Sequence, residues 1–109
     1  MSYTASNTIE ASMNVISYPT IKAYFEQHAA AKAYLLDWYY TTKKATWNNV
    51  NEMRADFPSA EMVVDSKVVF NIKANDFRLV AIVFFRVKRV QVIWIGTHAE
   101  YDKIKIKDL

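Results

Sequence analysis

The sequence predicts an α+β domain in which N-terminal helices pack on a small antiparallel sheet and a short helix follows the last strand. Apolar residues recur at helical spacing through the first half of the 109 residues. After residue 66 the pattern changes to strand-like runs, three of them close together. Helices followed by a group of strands are typical of the α+β class.

Length and composition favour one domain with a packed core, because 52% of the residues are hydrophobic and 15% are aromatic. The absence of cysteine excludes disulfides, zinc-thiolate sites and cysteine nucleophiles. A single glycine leaves no room for a glycine-rich phosphate loop. No apolar run approaches the roughly 18 residues of a membrane span, and no signal peptide is evident. We therefore expect a cytoplasmic protein without a membrane partner.

The chain divides into two parts by composition. Residues 1–12 are rich in Ser, Thr and Asn and show no period, which predicts a flexible N-terminal extension. Residues 13–109 form the single predicted domain. Positive charge is concentrated in the second half: residues 65–109 hold nine Lys/Arg against five Asp/Glu, whereas residues 1–64 hold five against six. A basic field of this size favours a polyanionic partner, although a solvated surface explains it equally well.

The first half predicts one short strand and three helices. The strand covers 12–17, and Pro19 suits the first turn of a helix. That helix has an apolar stripe at Ile21, Tyr24, Phe25 and His28. The second helix covers 29–44, with the stripe Ala31, Leu35, Trp38 and Thr42. A third helix begins after an N-cap at Thr46 and is ended by Pro58.

The second half predicts three strands, at 68–73, 77–86 and 89–96. The 77–86 run is too apolar to be half-exposed, so we expect it at the centre of the sheet. Residues 74–76 make the first turn, with Asn75 at positive φ, and Val87-Lys88 is a two-residue connection. We interpret Glu61 and Asp65 as loop residues.

A capping box marks the last helix. Thr97 and Glu100 have the S/T-x-x-E spacing that satisfies two backbone N–H groups at a helix start. The helix should therefore begin at His98 and place Tyr101 on the same face. If the strands form a meander, this helix lies beside the start of the 77–86 strand.

The candidate catalytic residues are those that this meander would bring together: Lys73, Arg78, His98 and Tyr101. Such a set suits RNA cleavage through attack of the 2′-hydroxyl, which needs proton transfer and cations on the phosphorane but no metal or cofactor. Histidine titrates near neutrality, and arginine grips a phosphate with two hydrogen bonds. The candidate substrate-binding residues are Asn71, Asn75, Arg86, Lys88 and Lys103.

Structural alternatives exist for these positions. His98 could simply occupy an exposed helix start, Tyr101 could pack, and Lys73 could be a charge that protects a strand end. Asp102 could orient His98 or cap the helix. His28 is interpreted as structural, and the three tryptophans as core. The same residues therefore also fit a non-catalytic basic module that binds RNA or a protein.

Four segments resemble HigB-type toxins of bacterial type II toxin–antitoxin systems: WYYTTKKATW (38–47), ADFPSAEMV (55–63), VVFNIKANDFRLV (68–80) and GTHAEYDKI (96–104). The resemblance covers about residues 13–106. It implies a RelE-like fold and a ribosome-dependent mRNA endonuclease. It also implies a HigA-like helix-turn-helix antitoxin. Operator DNA would be bound only by the complex of the toxin with this antitoxin. The positions matching the family pattern are Asn71, Lys73, Asn75, Arg78, His98, Tyr101 and Asp102.

One departure from the family pattern affects the first hairpin. Many relatives have glycine where this chain has Ala74. The turn must therefore place its positive-φ residue at Asn75, or accept strain at a residue with a Cβ atom.

Overall fold

The computed structural model describes residues 11–109. The predicted extension over 1–12 lies outside the described residues, except for its last two positions. Four α-helices and five strands are present in the described part. The strands are β1 (Asn14–Val15), β2 (Glu61–Val64), β3 (Lys67–Ile72), β4 (Phe77–Phe84) and β5 (Arg89–Thr97). The helices are α1 (Tyr18–Gln27), α2 (Lys32–Lys44), α3 (Val50–Asp56) and α4 (His98–Tyr101), with 3₁₀ turns at Ala29–Ala31 and Ile106–Asp108.

The strands form one sheet in the order β1-β5-β4-β3-β2. The predicted central position of the 77–86 strand is confirmed, since β4 lies between β3 and β5 and pairs antiparallel with both. The meander of β3, β4 and β5 is confirmed as well. The sheet is antiparallel apart from the two-residue edge strand β1, which pairs parallel with β5.

The helices cover one face of the sheet and bury the core there. All four stripe residues predicted for the second helix are buried, at Ala31, Leu35, Trp38 and Thr42. Trp38 packs edge-on against Phe70 of β3, with ring centroids 5.3 Å apart. The predicted α+β class is therefore confirmed, with an apolar layer between helices and sheet. Among the described residues, no helix is long and apolar enough to cross a bilayer.

The predicted start of the third helix was wrong. Its N-cap is Asn49, whose side chain accepts a hydrogen bond from the backbone N–H of Glu52 at 2.9 Å. The carbonyls of Thr46 and Trp47 instead accept hydrogen bonds from the Lys88 ammonium, at 3.3 and 2.8 Å. Because Asn49 caps the helix, α3 begins three residues later than the Thr46 cap predicted, and Thr46 and Trp47 belong to the preceding loop.

The edge strand β2 was missed. Glu61, interpreted as a loop residue, is the first residue of this strand and pairs with Val69 of β3. The strand has four residues, and Met62 and Val63 remain exposed. It therefore lacks the alternation that identifies a half-buried strand. Asp65 does lie in a turn, at φ 49°.

Both predicted hairpin turns differ in detail. Positive φ falls on Lys73 (53°) and Ala74 (57°), not on Asn75, so the first turn places a residue with a Cβ atom in the left-handed region. The second connection has four residues, 85–88, because β4 ends at Phe84. Arg86, predicted within a strand, consequently lies in this turn.

The C-terminal segment lies on the sheet face opposite the helices. The Lys67 side chain, which is buried, donates hydrogen bonds to the carbonyls of Ile106, Lys107 and Leu109 at 3.0–3.3 Å. Val80 on this same face is also buried. The segment thus covers the start of β3 on this face. The opposite end of the sheet, near the first hairpin turn, is called the open end below.

Candidate active site at the open end of the sheet

Arg78 occupies the open end of the sheet, on the face away from the helices. Its neighbours along β4, Phe77 and Leu79, are buried in the core, so strand alternation turns Arg78 to the opposite face. In the register of the sheet, Arg78 lies between Asn71 of β3 and Gly96 of β5. The sequence prediction that Asn71 and Arg78 lie together is confirmed.

The Arg78 guanidinium is held in place on two sides. One terminal nitrogen donates a hydrogen bond to Asn75 Oδ1 at 3.0 Å. Its central carbon lies 4.8 Å from the centroid of the Tyr101 ring, in a cation–π contact. The Nε atom is buried and has no hydrogen-bond partner, and Arg78 makes no ion pair with any described residue. An arginine fixed in this way keeps N–H donors for an anionic ligand.

Trp94 completes the support behind Arg78. It pairs with Val80 on the open face, and its ring lies 6.1 Å from the Tyr101 ring. The indole also crosses Gly96: a Cβ atom built there would lie 2.4 Å from the Trp94 ring. The prediction that Trp94 belongs to the core was wrong, because this residue is only partly buried and lies outside the core cluster. The glycine makes the close passage of the indole possible.

The capping box of α4 is confirmed in both directions. The Glu100 backbone N–H donates to Thr97 Oγ1 at 3.1 Å, and the Thr97 N–H donates to Glu100 Oε1 at 2.8 Å. The hydrogen bond from the Thr97 backbone holds the pKa of the Glu100 carboxyl below its usual range, and the charges of His28 and Lys103 act in the same direction. This box fixes where the single-turn helix begins. It thereby positions His98 and Tyr101, the two predicted site residues on that helix.

His98 lies beside the first hairpin turn and is paired with a carboxylate. Its backbone N–H donates to the carbonyl of Asp76 at 3.0 Å. Its ring Nδ1 lies 3.2 Å from Asp102 Oδ2, one helical turn further on. Asp102 therefore contacts His98, in agreement with the first of its two predicted roles, which was to orient the imidazole. The contact engages Nδ1 at one edge of the imidazole and leaves Nε2 as the atom available for proton transfer.

Lys73 lies in the same turn. Its ammonium is 3.5 Å from the Asp76 carboxylate, in a partly exposed ion pair. The peptide N–H of His98 bonds to Asp76 as described above, so this aspartate links the lysine to the start of α4. The four predicted catalytic residues thus gather around one turn and one helix at the open end of the sheet.

Of the other predicted substrate-binding residues, two lie away from the site and one lies beside it. Lys103 follows α4 and is exposed near the site. Arg86 and Lys88 lie in the turn after β4, roughly 20 Å from Arg78 at the ~3.3 Å rise of a strand residue. The Lys88 ammonium is bonded to two backbone carbonyls and to Asn48 Oδ1 at 2.6 Å. The structure therefore does not bring these two cations together with the candidate site.

Two polar residues near Arg78 were not predicted. Ser59 and Glu61 line a cleft of about 130 Å³ together with Asn71 and Arg78. The sequence prediction missed Glu61 because it did not recognise β2, the strand that positions this residue. Ser59 lies just before the same strand. Among the residues that the structure describes, no group of three His, Asp or Glu side chains is arranged to hold a metal ion.

On the helix side of α4, Tyr24 and His28 form a stacked pair whose ring centroids are 4.0 Å apart. His28 Nδ1 lies 3.1 Å from the backbone carbonyl of Tyr24. Burial raises the pKa of the Tyr24 hydroxyl, and the negative charge of Glu100 raises it further. These contacts support the interpretation of His28 as a structural residue behind the last helix.

Comparison with known proteins defines the class. The family described as "HigB_toxin, RelE-like toxic component of a toxin-antitoxin system" matches residues 31–104. The fold and the match together define a small toxin of a toxin–antitoxin system. The "mRNA interferase toxin HigB" of Escherichia coli (strain K12) is 30% identical over 92 residues, which cover 83% of this chain and 88% of the relative. The "mRNA interferase HigB" proteins of Escherichia coli O157:H7 and Shigella flexneri match equally well. The chain belongs to the HigB family, and this membership implies an antitoxin partner.

Proposed function

We propose that this toxin is an mRNA interferase: an endoribonuclease that cuts translated mRNA on the ribosome and thereby inhibits translation. The names of its relatives support this activity, as does the basic second half of the chain. The observation that carries the proposal is the Arg78 guanidinium, held by Asn75 and Tyr101 and free of any carboxylate among the described residues. Such a group suits a phosphodiester, because its remaining N–H donors can bind two phosphate oxygens.

The reaction proceeds by attack of the 2′-oxygen on the adjacent phosphorus. The 2′-hydroxyl loses its proton, the bond from phosphorus to the 5′-oxygen breaks, and the leaving oxygen takes up a proton. Negative charge builds on the phosphorane, where Arg78 and Lys73 stabilise it. The products are a 2′,3′-cyclic phosphate and a 5′-hydroxyl. No metal ion takes part in this scheme.

His98 transfers a proton through Nε2, since Asp102 occupies Nδ1. A carboxylate on one ring nitrogen fixes the tautomer and the orientation of the imidazole. One face of the Tyr101 ring supports Arg78. The same residue also stacks on a base of the RNA or shuttles a proton. Asn71 and Asn75 position the substrate, and Lys103 adds an exposed cation next to α4.

The ribosome supplies the geometry that this small site lacks. A site that contributes a few cations and one histidine gains most when the message is already held in a reactive conformation. Free RNA should therefore be cut poorly. We also propose that the toxin acts in the cytoplasm and that a HigA-like helix-turn-helix antitoxin neutralises it and carries the complex to operator DNA.

The test combines growth with cleavage on programmed ribosomes. Induction without antitoxin should arrest growth, and mapped 5′ ends should show cuts within translated reading frames. His98→Ala should reduce cleavage by roughly 10²–10⁴-fold, the contribution typical of a residue that transfers a proton. Arg78→Ala should relieve the growth arrest, provided that circular dichroism shows the fold to be retained.

The cut ends should carry 2′,3′-cyclic phosphate, the product of attack by the 2′-oxygen. Ends bearing 3′-hydroxyl groups would reject attack by the 2′-oxygen. Harmless overexpression of the intact chain, with RNA binding but no new 5′ ends, would instead identify a non-catalytic binding module.

A further inference from the structure

A second cleft adjoins the candidate active site on the helix side of the sheet. It has a volume of about 210 Å³ and lies between α2, the end of α3 and the end of β3. Tyr34, Asp37 and Trp38 line it from α2, and Phe57 and Asn71 line it from the other side. The cleft is therefore small, walled by aromatic rings and edged by three charged residues, Asp37, Asp56 and Lys73. The Asp56 carboxylate accepts a hydrogen bond from the Trp47 indole at 2.9 Å, so Asp37 is the carboxylate without a partner among the described residues.

The polar groups of this cleft have unused hydrogen-bonding capacity. Trp38 is only 1% exposed, yet its indole N–H has no partner among the described residues. Asp37 makes no hydrogen bond or ion pair with any described residue, and the exposed Tyr34 ring contacts no other ring there. A buried donor without a partner is uncommon in a native protein and calls for a cause.

The cleft shares a lining residue with the site around Arg78. Asn71 lines both this cleft and the smaller polar cleft that contains Arg78. The two meet at the end of β3, because the pairing of β2 with β3 reaches no further than Glu61 and Val69. A nucleotide whose phosphate lies at Arg78 can therefore extend its base around Asn71 toward Tyr34.

We propose that this cleft binds the nucleobase next to the scissile phosphate, an inference that rests on the ribonuclease function proposed above. Tyr34 stacks on the base, as exposed aromatic residues do in RNA-binding sites. Asp37 accepts N–H groups from the base edge, and the Trp38 N–H donates to a base carbonyl. Guanine fits best, since it presents N–H donors directly beside a carbonyl acceptor.

A cationic side chain of a protein partner is the competing occupant. An arginine would satisfy the Asp37 carboxylate and the Tyr34 ring, but a guanidinium has only donors. It would leave the Trp38 N–H without a partner, whereas a base carbonyl supplies an acceptor. The unpartnered indole therefore favours the base.

Mapped 5′ ends after induction provide the first test. Wild-type cuts should be enriched at guanine on one side of the broken bond. Asp37→Asn and Tyr34→Ala should reduce that enrichment at least threefold while the total number of cuts falls less than tenfold. Tyr40→Ala is the matched control, since Tyr40 is equally exposed on α2 and lies outside the cleft. An unchanged base distribution in both cleft variants would overturn the proposal. If the same variants also bound the antitoxin more weakly, the occupant of the cleft would be a protein side chain.

The second test does not need cleavage. In the ¹⁵N spectrum of the full chain, the Trp38 indole N–H resonance, assigned with Trp38→Phe, should shift on titration with GMP. AMP should shift it at least threefold less, and Asp37→Asn should weaken the GMP response. A Trp38 resonance that GMP does not move would overturn the base site. A toxin that cuts nothing but still shows the GMP response would reject the proposed function and retain the site.

Discussion

The two ends of the central strand β4 use positive charge in different ways. At the far end, Lys67 donates to three backbone carbonyls, and Lys88 donates to two carbonyls and the Asn48 side chain. Each ammonium has three N–H donors, so neither lysine has one to spare. At the open end, Arg78 donates to a single oxygen of Asn75 and keeps an unpartnered Nε. The two lysines at the far end hold the fold, whereas the terminal nitrogens of Arg78 at the open end are available to a ligand.

The comparison shows why a charge count is a weak guide to a binding surface. Nine Lys/Arg residues lie in 65–109, but Lys67 and Lys88 serve backbone carbonyls. A basic excess in a sequence therefore divides between residues that stabilise the chain and residues that face a partner. Only the hydrogen-bond partners separate the two groups, and substitutions at each end test the division.

The largest effect is expected at Arg78. Arg78→Lys keeps the charge but loses the planar group that stacks on Tyr101 and binds two phosphate oxygens. Cleavage on programmed ribosomes should fall by about 10²-fold, the size found when one preorganised donor is removed from a transition state. Stability should change little, because the side chain supports no backbone group.

Arg86→Lys is the matched control at the opposite end of β4. Arg86 is exposed in the turn after the strand, so the same chemical change should leave the cleavage rate within about twofold of wild type. A drop as large as that of Arg78→Lys would return Arg86 to the substrate-binding set and break the distinction between the two ends.

The next effect is on folding, at Lys67. Lys67→Met removes the ammonium that three carbonyls of the C-terminal segment share. We expect the free energy of unfolding to fall by about 1.5–3 kcal/mol, the contribution of hydrogen bonds to a charged group. Urea denaturation measures it. Lys107→Met, at an exposed position, should change stability by no more than ~0.5 kcal/mol.

Most of the fold was predictable because it depends on local patterns. The helix stripes and the long apolar strand are visible in the spacing of apolar residues. The capping box of Thr97 and Glu100 is visible as a motif of four consecutive residues. What failed depended on distant contacts. The loop before α3 is held by an ammonium some 40 residues away, on Lys88. The strand β2 exists only because β3 offers it an edge.

For the candidate site, the positions of the residues in the fold were more predictable than their contacts. Register brought Asn71 opposite Arg78, and the meander brought His98 to the turn, as the sequence indicated. Asn75 was assigned to the wrong backbone conformation: Lys73 and Ala74 take the positive φ values, and the Asn75 side chain accepts from Arg78. Trp94 was assigned to the core, since a tryptophan in an apolar strand does not reveal which face it occupies.

The smallest expected effect concerns the capping box that positions His98 and Tyr101. The Thr97 backbone N–H lowers the pKa of Glu100 in the folded protein. A carboxyl group of this kind stabilises the fold above its unfolded pKa of about 4.3, and the contribution is lost as the pH falls through the folded value. Glu100→Gln retains an oxygen for the Thr97 N–H but carries no charge. Its deficit in urea midpoint relative to wild type should be largest near pH 6–7 and shrink below roughly pH 4.3. A deficit that is constant or grows on acidification would show that the charge does not stabilise the box, so that the start of α4 would depend on backbone geometry alone.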